Sequence, residues 1–111
     1  MQLSVVLPIF EEEASIGSLL AEMVETLEAQ GFDFEVVAVD DGSADGTLQQ
    51  LHAARSRKPS RVNVVRHLYN KGNGAALRTG LRVARGEIVV CMDADGQHSP
   101  AEIASLIALI P

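Results

Sequence analysis

Four short runs rich in Val, Ile and Leu set the architecture: "LSVVLPI" at 3–9, "FEVVAVD" at 34–40, "VNVVRH" at 62–67 and "EIVVCMD" at 87–93. Continuous apolar runs, unlike alternating ones, read as strands covered on both faces, as in parallel sheets. Pro8 marks where ladder pairing of the first run should stop. Helical spacing fills the gaps. Ile16, Leu19, Leu20, Met23, Val24 and Leu27 recur on one face, with Gly31 as the C-terminal cap. Thr47 to Arg57 reads as a second helix, with Leu48 and Leu51 inward and Pro59 beyond its end. Ala75 to Ala84 reads as a third, closed by Gly86. A last helix is capped by Ser99, with Pro100 at its first position and Glu102 completing a capping box. The order is βαβαβαβα, without repeats, low-complexity stretches or linkers.

A length of 111 residues fits one α/β domain. Apolar residues make up 47% but aromatics only 4%, so Val, Leu, Ile and Ala must fill the core. A net charge of −6 argues against nucleic-acid binding, which needs a basic surface. It does not exclude a phosphate ligand, because a metal or a few local cations reverse the field. Cys91 is the only cysteine, which excludes an internal disulfide and zinc sites built on several cysteines. Lying inside the fourth run, it reads as a small core residue. The first strand starts with no basic segment before it, so no signal peptide is expected. No run approaches the ~18 apolar residues of a membrane span, and a cytoplasmic setting is expected.

Crossovers between parallel strands are right-handed, so the chain can wind outward from strand 1 and then reverse. A reversal opens a ligand crevice beyond the carboxyl ends of the strands. The polar clusters Pro8–Glu12, Asp40–Asp45 and Asp93–His98 all follow such ends. Asp93 and Asp95 are two residues apart and point the same way if the strand pattern persists. Such a pair repels or raises a pKa unless a divalent cation bridges it; hard oxygen ligands suit Mg²⁺ or Mn²⁺. Gln97 adds a carbonyl oxygen. The alternative is a turn whose aspartates accept backbone N–H bonds. His98 is either a ligand or phosphate contact or a polar residue before a cap.

Consecutive aspartates in "VDDGSADGT" exceed what a turn needs. Asp41 suits acceptance from a base N–H or a ribose hydroxyl, Asp40 bracing of the loop, and Asp45 capping of the next helix. Glu11, Glu12 and Glu13 suit a helix's first turn through the macrodipole, with Glu12 a candidate ligand contact. "NKGNGAALRTG" begins a G-x-G pattern before a helix, but Leu77 replaces the third glycine of a dinucleotide fingerprint. Lys71 and Arg78 either meet a diphosphate or are solvated.

The ordered stretches "VVLPIFEEEASI", "VVAVDDGSADGT" and "NKGNGAALRTGLRVARGEIVVCMDADGQHSP" resemble family-2 inverting glycosyltransferases of the glycosyltransferase A fold. The likeness is to the dolichol-phosphate mannose synthase and polyprenyl-phosphate sugar transferase branch. The resemblance implies a Rossmann-like parallel sheet of strand order 3-2-1-4. It implies that Pro8, Phe10 and Glu12 border the nucleotide, and that Val39 and Asp41 contact the base and ribose. Lys71 joins them as a donor contact. Asp93, Ala94, Asp95 and Gln97 match the D-x-D-x-Q element. Asp93, Asp95 and Gln97 would hold Mg²⁺ or Mn²⁺ against the donor diphosphate, with Asp95 assigned to catalysis. The family usually carries Tyr-Asn where this chain has Phe10-Glu11.

The implied reaction transfers a sugar, with inversion, from a nucleoside-diphosphate sugar (GDP-mannose or a UDP-sugar) to an acceptor, the branch pointing to a polyprenyl phosphate. Catalytic domains of this kind are about twice as long. The chain therefore reads as the nucleotide-binding half, inactive alone, with the acceptor side and any peripheral membrane contact elsewhere. An exposed sheet edge would favour self-association. Two rival readings remain: an aspartyl-phosphate phosphatase, for which "MDADGQ" resembles D-x-D-G-T, and a non-catalytic nucleotide-binding module.

Overall fold

The computed structural model describes residues 1–94. Asp95, Gln97, His98 and the cap at Ser99, Pro100 and Glu102 lie outside the described residues. The elements run β1 (Leu3–Ile9), α1 (Ile16–Ala29), β2 (Phe34–Asp41), α2 (Thr47–Arg57), β3 (Val62–His67), α3 (Asn73–Val83) and β4 (Ile88–Cys91). The sheet is parallel with order β3-β2-β1-β4, as expected.

Every residue of β1 and β2 is buried. One face carries the larger core, where Leu3, Val5, Leu7 and Ile9 of β1 meet Ile16, Leu20, Met23 and Leu27 of α1. The other face is a smaller cluster of Val6, Val37 and Val39 under Ala76 of α3. The thin second layer depends on close helix approach. A Cβ on Gly80 of α3 would collide with the Val6 side chain and press on Val39.

α1 ends in a Schellman motif. Gly31, at φ +80°, donates to Glu28 O, and Phe32 donates to Leu27 O. A left-handed φ favours glycine, which explains the residue type. α3 starts at Asn73, two residues before the expected Ala75, and ends at Val83. Gly86 closes no helix; its backbone lies against Leu3 and Ser4, and its N–H donates to Ser4 Oγ at 2.8 Å. Ser4 Oγ donates to Glu35 Oε2 at 2.6 Å, and Arg85 N–H donates to the same oxygen at 2.7 Å. Arg85 also pairs with Glu35 Oε1. A buried carboxylate needs such partners, and this set fastens the α3–β4 connection to the amino ends of β1 and β2.

Pro8 departs in part from expectation. It lies inside β1, paired with Val39, and the strand runs on to Ile9. Its missing donor matters on the other side. Met92 N–H donates to Val6 O at 3.1 Å. The next rung of a parallel ladder would need the N–H of residue 8, which proline lacks. The β1–β4 ladder ends there, and the chain leaves the sheet just before Asp93.

Cys91 is not a core residue; it is exposed. It is paired with Val6 and so shares the α3 face. α3 covers β1 and β2 on that face and stops short of β4, leaving Val89 37% exposed as well.

Gly80→Ala tests the close approach. Alanine favours a helix interior by about 1 kcal/mol over glycine, whereas overpacking costs about 1–3 kcal/mol. Urea denaturation should show net destabilisation. Adding Val6→Ala should recover part of the loss, giving a double mutant more stable than the summed single effects.

Candidate functional site

All four strands are parallel, so their carboxyl ends share one rim. The rim carries Phe10 to Glu13, Asp40 and Asp41, the stretch His67 to Gly72, and Asp93. Asp41 and His67 are register partners at the ends of β2 and β3. His67 Nδ1 donates to Asp41 Oδ1 at 2.8 Å. The N–H of Lys71 reaches the same oxygen at 2.9 Å, and the N–H of Gly72 reaches Oδ2 at 3.0 Å. His67 Nε2 lies 2.8 Å from Thr79 Oγ1 on α3. Burial pushes the Asp41 carboxyl up, but His67 and the two backbone N–H groups together outweigh it and hold the carboxyl below its ordinary value.

The loops after β1 and β2 brace each other. Glu11 N–H donates to Ser43 Oγ at 2.9 Å, Glu12 N–H to Thr47 Oγ1 at 3.0 Å, and Gly46 N–H to Glu13 Oε2 at 2.9 Å. The glutamates precede α1 and do not occupy its first turn as expected. Glu13 instead serves the amino end of α2. Asp45 does cap that end, accepting from Thr47 N–H at 3.0 Å. The Thr47 hydroxyl hydrogen bond leads the causes that hold the Asp45 carboxyl below its ordinary value. Asp40 is fully buried; its Oδ1 accepts from Ser43 N–H at 3.2 Å, and its Oδ2 has no partner among the described residues. Gly42, at φ +76°, leaves room for Tyr69 and Asn70. Glu11 holds φ 51°, the one non-glycine residue with positive φ among those described.

A cleft of about 300 Å³ opens on this rim, lined by Pro8, Phe10, Asp41, Asn70, Gly72 and Asn73, with Ile9. A somewhat larger groove of about 350 Å³ lies between α1 and α2, with Leu20, Val24 and Ala54 in its wall. Glu25, Glu28, Arg57 and Lys58 also line that groove, and none of the rim groups faces it. The cleft on the rim, with its convergent polar groups, is the candidate site.

Of the residues expected from sequence, the structure gathers Pro8, Phe10 and Asp41 in the cleft. Phe10 stands 43% exposed at its edge. Glu12 is half-buried and turns its carboxylate to Ser15 Oγ, 3.3 Å away. Val39 is fully buried under α3 and presents no surface to a ligand, because the α3 face closes over it. Lys71 is exposed, with its ammonium 5.2 Å from the centroid of the Tyr69 ring, and it contributes to the site through its backbone N–H. Asp93 is exposed beyond β4, and Ala94 beside it is buried. Among the described residues no three His, Cys, Asp or Glu side chains converge as a metal centre. Asn70, Asn73 and His67 were missed. The signal for His67 was a polar residue closing an apolar run, as Asp41 does.

Comparison with known proteins places this geometry. The description "Glycosyl transferase family 2" matches residues 4–111. The chain belongs to glycosyl transferase family 2. Its relatives in that family include the undecaprenyl-phosphate 4-deoxy-4-formamido-L-arabinose transferase of Edwardsiella ictaluri, 36% identical over 94% of this chain and 32% of that protein. The dodecaprenyl-phosphate galacturonate synthase of Rhizobium johnstonii is 34% identical over 97% of this chain and 32% of that protein. The chain thus spans about a third of the length of these relatives. Among solved structures, the mannosyltransferase PcManGT of Pyrobaculum calidifontis, in complex with GDP-Man and Mn²⁺, superposes with a TM-score of 0.73. It is 33% identical, over 85% of this chain and 27% of that one. Strand order and alternating helices are those of the glycosyltransferase A fold.

Two measurements probe the rim of this family-2 chain. Asparagine tolerates a left-handed φ better than glutamate. Glu11→Asn should therefore raise the urea midpoint, by about 0.5–1 kcal/mol of stability. Asp41→Asn should cost about 1–3 kcal/mol near neutral pH, because an amide cannot accept all the bonds the carboxylate takes. A lowered folded pKa gives stability that is present above the unfolded value and is lost as pH falls through the folded value. The gap between wild type and Asp41→Asn should therefore narrow below about pH 4 in denaturation series.

Proposed function

We propose that this chain forms the donor-binding part of a glycosyltransferase that moves a sugar from a nucleoside-diphosphate sugar to a polyprenyl phosphate. The observation that carries the reading is the cleft in which Asp41, Phe10 and Pro8 meet the amino end of α3. Phe10 offers an apolar edge for a base, and Asp41 an ionised acceptor for its N–H. Family membership supports transfer of a sugar, and the two relatives, named for polyprenyl phosphates, support a lipid-linked acceptor.

Asp93, Asp95 and Gln97 would hold Mg²⁺ or Mn²⁺; all three offer the hard oxygen atoms these ions prefer. The Mn²⁺ in the PcManGT complex supports a divalent ion. Such an ion supplies positive charge to a leaving diphosphate. The position of Asp93 fits, because Pro8 ends the ladder and releases the chain at the rim. In this reading the protein's own task is positional. The cleft fixes the base, and the sugar's anomeric carbon is left open to attack opposite the leaving group. An acceptor phosphate oxygen is already anionic and needs little help from a base. A lipid-borne acceptor would bring the reaction to a membrane surface.

The rival readings gain no support. The D-x-D pair follows the fourth strand, whereas the phosphatase motif belongs on a first strand, and family 2 covers residues 4–111.

Calorimetry of the complete protein with UDP and with GDP, each with and without Mn²⁺, tests the proposal. Metal-dependent binding of one nucleotide is expected. Asp93→Asn should weaken it by more than about tenfold, since even partners of metal ligands cost that much when removed. Binding indifferent to both the metal and Asp93 would sink the reading.

A further inference from the structure

We infer that the outer side of α3, with the loop that leads into it, is a docking surface for an anionic membrane. The inference rests on the lipid-borne acceptor read above and names the face that meets the lipid.

The chain segregates its charge. All nine lysines and arginines lie between Arg55 and Arg85, and none of the fifteen acids lies between Asp45 and Glu87. The fold then sorts the cations by layer. On the α1–α2 side Lys58 reaches Glu28 at 3.3 Å and Arg61 reaches Asp33 at 3.4 Å. On the α3 side Lys71, Arg78 and Arg82 are exposed, and among the described residues none of the three pairs with a carboxylate.

α3 turns Ala76 and Gly80 to the sheet. Arg78, Leu81 and Arg82, spaced by three and four residues, share the opposite side. Leu81 is 51% exposed there. The loop before α3 adds Leu68, 83% exposed, and Tyr69, 65% exposed, with the Lys71 ammonium over the Tyr69 ring. Apolar side chains standing among unpaired cations match a bilayer surface. The cations meet lipid phosphates, and Leu and Tyr enter the boundary between headgroups and acyl chains. A nucleic acid would use the cations and leave the leucines idle, and the net charge of −6 opposes it.

The placement serves the acceptor. Gly72 and Asn73, at the amino end of α3, line the cleft. α3 has 11 residues and is about 16 Å long. With its outer side on the bilayer, the cleft stays within about one helix length of the headgroups, where the phosphate of a polyprenyl phosphate lies.

The test uses the complete protein in a cysteine-free background, Cys91→Ser included, with Leu81→Cys carrying a polarity-sensitive fluorophore. It is titrated with vesicles of phosphatidylcholine alone and of equal parts phosphatidylcholine and phosphatidylglycerol. A blue shift on the anionic vesicles only is expected, reversed at about 1 M salt, where the screening length falls to about 3 Å. The same fluorophore on Glu22→Cys, exposed on α1, should stay in water. Each cation near such a surface changes affinity about fivefold. Arg82→Glu removes one attraction and adds one repulsion, so it should raise the lipid needed for half the shift about thirtyfold, and Arg82→Gln about fivefold. An equal shift on neutral vesicles, a shift at Glu22→Cys in place of Leu81→Cys, or Arg82 variants without effect overturns the proposal. A shift that grows with protein concentration in the absence of lipid also overturns it and makes this side a contact between copies. Calorimetry with UDP and GDP reads the donor site separately. Both Arg82 variants should bind nucleotide as wild type does, and failure of wild type to bind either nucleotide strikes the donor-site reading without moving the vesicle result.

Discussion

The rim is organised around one buried carboxylate. Asp41 ends β2 and accepts from the partner strand through His67 and from the following loop through Lys71 and Gly72. An ionised group so deep in the protein is costly unless hydrogen-bonded. Its partners meet that need and are ordered by it in turn. The loop from Leu68 to Gly72 has no regular structure of its own; Asp41 sets where it runs and therefore where α3 begins. Gly42 completes the arrangement, because only a residue without a side chain lets Tyr69 and Asn70 come this close.

The opposite end of the sheet repeats the device for another purpose. Glu35 is as buried as Asp41 and is satisfied by Ser4, Arg85 and its backbone N–H. There the carboxylate fastens chain to chain. At the rim Asp41 lines a cleft. Both carboxylates accept three hydrogen bonds, so what sets the rim acid apart is the cleft that it lines. Proline contributes too, since the N–H that Pro8 lacks ends pairing with β4 and lets the acidic segment leave the sheet at the rim.

Much of this was legible in the residues. The order of elements as far as β4, the parallel sheet and the span of α2 follow from runs of apolar residues and their spacing, and the structure agrees. The gathering of polar clusters at carboxyl ends follows from parallel strands. The errors have a common cause. Cys91 looked buried because its neighbours are apolar, yet among the described residues no helix covers β4 on that face. The three glutamates looked like a helix's first turn, yet α1 starts later and Glu13 serves α2. Val39 is buried under α3 and the Glu12 carboxylate meets Ser15, which spacing alone does not reveal.

The sequence by itself determined what elements form and which ends carry charge, because burial and helix or strand period are written in spacing over a few residues. The tertiary structure alone decided which acceptors are already occupied. Asp41 meets partners 26, 30 and 31 residues away. Those meetings depend on strand register and on where a loop is pinned. No local pattern encodes them.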